Sequence, residues 1–165
     1  MRQLILSIAV ILGVVIQATW LGSLHLPGHV TPDLILIMTI SYGLLKGSDD
    51  GLVFGLCAGL FLDLIAGGLI GIKTISKLAA GFAAGFMEKN IFKDNLLVPI
   101  IAVFIGTIVF ESFSIIMYIA FKANLNFFTI FIARIIPLAF INALIAPIIY
   151  YFLLRLERFL AERAR

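Results

Sequence analysis

Polar material is what this chain has least of. Only 13% of its 165 residues are charged and 62% are hydrophobic, whereas a soluble domain is about 25% charged and roughly 45–50% apolar. That shortage excludes a soluble fold, because too few polar side chains exist to cover a solvated surface. Cysteine occurs once, as Cys57 inside an apolar run, so no disulfide framework within the chain is possible and the redox compartment is not legible. Cys57 stands among Leu56, Ala58 and Gly59 and reads as a small packing residue. Histidine occurs twice. His25 and His29 flank Pro27-Gly28 in a loop that offers no further ligands, so no metal site is expected there. No Ser/His/Asp set falls on ordered elements, and neither an enzyme nor a cofactor is expected. Low-complexity linkers and long loops are also missing, which leaves one compact transmembrane helical domain over residues 1–165.

What is there is a series of six apolar segments. They run from Leu4 to Leu21, Leu34 to Leu45, Gly51 to Gly68, Ile72 to Met87, Leu96 to Phe121 and Phe127 to Leu154. In lipid every backbone group must be paired internally, so runs like these are helices, and the expected fold class is all-α and polytopic with about six transmembrane helices. The first segment starts like a signal peptide, but it lacks a small-x-small cleavage site and is expected to be a retained helix. The second would span only about 20 Å at 1.5 Å per residue, which requires snorkelling ends or a thinned bilayer. The sixth exceeds the bilayer and carries Pro137 and Pro147, which predicts a kink or an emerging tail.

The net charge of +3 reads as a topology signal, not a nucleic-acid signal. With six spans, Arg2, Lys46, Lys89, Lys93, Arg155, Arg158, Arg163 and Arg165 fall on one side, and Lys73 and Lys122 on the other. The excess of Lys and Arg on cytoplasmic loops then places both termini in the cytoplasm. In the short basic tail from about residue 155, Leu156, Phe159 and Leu160 share one face. This pattern suits a helix lying along the membrane lipid, and equally a solvated end that anchors topology.

Two features inside the spans are candidates for function. Gly51, Gly55 and Gly59 recur every four residues, and Gly81 and Gly85 do the same on the next segment. Small residues let helix backbones approach in lipid, so these strips serve either packing within the chain or docking of a partner helix. The other feature is ionisable. Asp63 lies four residues before Gly67, about 6 Å below the helix end. A carboxylate there must face the bundle and find a partner, and Lys73 and Lys77 are the nearest cations. Glu111 and Arg134 lie in the fifth and sixth segments and could pair with each other.

Asp49-Asp50-Gly51 with Gly59 and Asp63 faintly resembles the CDP-alcohol phosphotransferase signature. The Ala-Arg pair is absent, the spacing is too short and the last aspartate position is Gly67, so no two-metal site can form.

The sequence instead resembles the MreD family of bacterial rod shape-determining membrane proteins. The resemblance covers nearly the whole chain. It rests on Pro32-Asp33-Leu34 opening the second segment, on GLCAGLFLDLIAGGLIGIK with Asp63, Gly67 and Lys73, and on Asn142 and Pro147 before the basic tail. The resemblance implies a non-catalytic subunit of the lateral cell-wall elongation machinery in the bacterial cytoplasmic membrane. The implied partners are the single-span MreC, the actin-like MreB, the glycosyltransferase RodA and a class B penicillin-binding transpeptidase. It also implies a fold like the S components of energy-coupling-factor transporters. An S component that binds a vitamin is therefore the alternative reading, although the outer loops offer few groups to fix a polar vitamin.

The topology has a direct test. In a cysteine-free background, an impermeant thiol reagent added outside intact cells is expected to label His29→Cys and Ala123→Cys but not Ser48→Cys or Asn90→Cys. Labelling of Asn90→Cys from outside would exclude the six-span arrangement.

Overall fold

The computed structural model describes residues 30–66, 71–90, 95–121 and 126–163. The first apolar segment lies outside them, as do His25, His29, Gly67 and Gly68. Among the described residues every regular element is helical.

Helix α1, Leu34–Lys46, starts just after Pro32, and the Asp33 carboxylate accepts the Leu36 N–H at 2.9 Å as its N-cap. It ends at Gly47, whose φ of 96° reverses the chain within one residue. Helix α2, Ser48–Ala66, begins with Asp49 and Asp50 in its first turn, where carboxylates favour the positive end of the helix dipole. Helix α3, Ile72–Phe86, starts from Gly71 at φ 107°. A single 3-10 turn, Glu88–Asn90, follows it. Helix α4, Leu97–Phe121, is capped by the Asn95 side chain, which accepts the Leu97 N–H at 3.0 Å. Asn126 caps the short α5, Phe127–Ile130, by accepting the Phe128 and Thr129 N–H groups.

From α5 the helix runs on through a π-helical turn, Phe131–Ile135, into α6, Ile136–Arg163. Pro137 accounts for the widened turn. It cannot donate to the carbonyl four residues earlier and its ring crowds that turn, so the ladder relaxes to the wider π pattern. The expected disturbance by proline is thus a π turn ahead of Pro137, while Pro147 sits inside α6 without ending it.

Two stretches, Leu97–Phe121 and Phe127–Leu160, are long and apolar enough to cross a membrane. Helices α1 and α3 are shorter, at 13 and 15 residues, and α2 carries three aspartates. Ile35, Leu36, Ile37, Ile40 and Leu44 of α1 are all buried, and α1 packs against α2, α3, α4 and α6. Its last turn is tied to α6 by the Lys46–Glu157 ion pair.

The glycine strips close the α2–α3 pair. A Cβ on Gly55 would strike the Lys77 carbonyl, and one on Gly59 would lie 2.6 Å from Thr74 Cα. Gly51 and Gly81 pack backbone to backbone, Gly85 abuts Gly47 and Ser48, and Gly43 of α1 joins the same junction. The strips therefore face helices of this chain. Cys57, read as a small packing residue, lies on the other side of α2 and is exposed, because the glycines at helical spacing claim the inner face.

Gly55→Leu is therefore expected to destabilise the fold by more than about 3 kcal/mol, since a rigid backbone cannot yield to the new side chain. Cys57→Leu on the outer face should stay within about 0.5 kcal/mol of the parent. Thermal melting and size-exclusion profiles in mild detergent measure both.

Candidate functional site

The polar interior is organised around Lys77. Its side chain enters the bundle from α3, about 9 Å along the helix from Gly71, and is buried. The ammonium pairs with Asp33 Oδ2 and lies 3.3 Å from Glu111 Oε1 of α4. Asp33 is thus used twice, since its other oxygen caps α1. Its backbone N–H donates to Asn142 Oδ1 of α6 at 3.0 Å, and Asn142 Nδ2 donates to Thr107 Oγ1 of α4 at 3.1 Å. Asn142 and Thr107 are fully buried. Residues 109 positions apart are therefore bonded directly, and α1, α3, α4 and α6 share one network. Beside it, the Ser76 and Ser114 hydroxyls both donate to the Phe110 carbonyl at 3.0 Å. Those hydroxyls are committed to the backbone.

Asp63 forms a second, separate cluster. The expected pairing with Lys73 or Lys77 is not what the structure has. The buried Asp63 carboxylate accepts the N–H groups of Gly71 at 2.8 Å, Lys73 at 3.3 Å and Thr74 at 3.0 Å, and the Thr74 hydroxyl at 2.6 Å. The reason is geometric. The first turn of a helix presents unpaired N–H groups and a positive dipole end, and the α2–α3 reversal sets them beside Asp63. Lys77, deeper in the bundle, meets Asp33 instead.

The expected Glu111–Arg134 pair is also absent. Glu111 turns to Lys77, whereas Arg134, on the π turn, is exposed and has no ion-pair partner among the described residues. Arg134 and Lys73 do share a location with the network. Both line an open cavity of about 420 Å³ together with Asp33, Lys77, Glu111 and Tyr118.

Asn142 and Asp33 carried a sequence signal as motif residues, but their contact did not. Thr107 was missed. Its signal was Thr107, Glu111 and Ser114 at i, i+4 and i+7, which marks the inward face of α4. Pro147, one turn and a half beyond Asn142, is half-buried and takes no part in the network. Among the described residues no group of His, Cys, Asp and Glu is placed to hold a metal ion.

A family model described as rod shape-determining protein MreD matches residues 1–160. No curated protein and no solved structure matches the chain, so the expected likeness to S components finds no counterpart there.

Removing Lys77 strands two carboxylates in the bundle. Lys77→Met is expected to cost about 3–5 kcal/mol, as for other broken buried pairs. Adding Asp33→Asn and Glu111→Gln, which removes the stranded charges and keeps a good N-cap, should restore a large part of it. Thermal melting of the purified chain in detergent compares them; a Lys77→Met variant that melts like the parent would refute the pairing.

Proposed function

The chain belongs to the MreD family of rod shape-determining membrane proteins, and on that premise we propose that it is a non-catalytic subunit of the bacterial lateral wall-elongation machinery that holds an MreC-like single-span protein. The observation that carries the reading is the family match over residues 1–160. The interior is consistent with a scaffold. Lys77, Asp33 and Glu111 are engaged with one another and the Ser76 and Ser114 hydroxyls with backbone, an arrangement that fixes helix register.

In this reading the chain is a single multi-pass domain of the cytoplasmic membrane with six spans, both termini inside, and a basic tail along the inner leaflet. The polar cavity then opens toward the outside. The glycine strips are taken up by α2 and α3 themselves. Contact with a partner helix therefore falls to outward apolar faces, where dispersion contacts and not water exclusion drive association. MreB, RodA and the class B transpeptidase would be reached within the same assembly.

Depletion in a rod-shaped host is expected to give round or swollen cells. Pull-down of the tagged chain in mild detergent should recover a single-span, coiled-coil protein of the MreC type. Unchanged shape together with lost vitamin uptake would replace this reading by a transporter subunit.

A further inference from the structure

Arg134 is the unexplained charge. It sits in the longer of the two apolar stretches that can cross a membrane, seven residues or about 10 Å from its start at Phe127. An arginine at such a depth is costly unless an anion or water meets it. The carboxylate that could have met it, Glu111, is held by Lys77. The π turn widens the helix at this residue, a distortion that often accompanies functional sites, and Arg134 lines the cavity.

The charges around that cavity do not cancel. Lys73, Lys77 and Arg134 stand against Asp33 and Glu111, and both carboxylates are engaged by Lys77. Lys73 and Arg134 are left without an ion pair among the described residues. Tyr118 adds a hydroxyl to the wall, and Ile115 and Ile130 make other parts of it aliphatic. A volume of about 420 Å³ falls in the range of about 300–1,000 Å³ typical of small-molecule sites.

We propose that this cavity binds a phosphate-bearing anion, gripped by Arg134 and Lys73. The guanidinium offers the planar two-pronged geometry that suits phosphate, and Lys73 contributes a point charge. The phosphate has two possible sources, a lipid headgroup dipping in from the membrane surface or free phosphate from water. The mixed wall suits the former, because aliphatic residues beside the cations can take the glycerol and upper acyl carbons. The proposal rests on the chain lying in a membrane and not on its part in wall elongation.

Native mass spectrometry of the full chain in mild detergent tests it with three probes: dioleoylphosphatidylglycerol, dioleoylglycerol and inorganic phosphate. The parent should retain the phospholipid but not the diacylglycerol. Arg134→Gln should weaken retention about tenfold or more, as expected for the loss of a charge-assisted contact. Lys73→Gln should weaken it less, Arg134→Lys should keep part of it, and Lys89→Gln, away from the cavity, should match the parent. Inorganic phosphate that binds or displaces lipid in an Arg134-dependent way would assign the site to free phosphate. If Arg134→Gln and Lys73→Gln, melting like the parent, bind every probe as the parent does, or if diacylglycerol binds as well as phospholipid, the proposal is overturned. Cell-shape assays read the functional assignment separately.

Discussion

An ammonium group sealed from water must be met by carboxylates, and the position of Lys77 dictates where three other helices stand. Asp33 has to open α1 at that level, Glu111 has to turn the inward face of α4 toward it, and Asn142 of α6 has to receive the Asp33 N–H. None of these groups could move alone, since a buried charge without its partner costs several kcal/mol and whole domains are stable by only about 5–15 kcal/mol. An apolar core of the same volume would tolerate sliding of one helix along another. A network in which Asp33 serves a lysine, a helix cap and an asparagine at once does not.

Lys77 reaches that position because of two features upstream. The glycines of α2 let α3 lie against it at backbone contact, with Gly55 at Lys77 and Gly59 at Thr74. Asp63 then fixes where α3 begins by accepting three of its first N–H groups. The start of α3 is thereby set from α2, and the height of Lys77 follows from the helical rise. The two charged clusters are distinct in chemistry but coupled through the backbone of α3.

Much of this was legible in the sequence. Segment limits came from hydropathy, and α1, α3 and α4 lie within one or two residues of the expected bounds. That the glycines lie on one strip followed from helical spacing, and that Asp63 turns inward followed from the cost of a charge in lipid. Partner identity did not follow, because proximity along the chain favoured Lys73 and Lys77 for Asp63, while helix-terminal N–H groups are a competing set of donors that carry no residue signature. Glu111 and Arg134 were both visible as charges within spans. Their separation depends on which face each presents, and the π turn shifts the phase of Arg134 relative to an ideal helix. The central place of α1 was also hidden, since a short apolar helix reads the same whether lipid or other helices surround it.

The phase shift links scaffold to cavity. Lys77, Asp33 and Glu111 together carry one negative charge, so the cluster is not itself attractive to an anion. Lys73 and Arg134 lie outside the cluster, and with them the three cations of the cavity wall outnumber its two carboxylates. Were Lys77 displaced, the two carboxylates would lose their cation on the wall they share with Arg134 and Lys73. The buried lysine thus does two things with one charge. It sets the helix register, and it engages both carboxylates on a wall where Lys73 and Arg134 have no ion pair among the described residues.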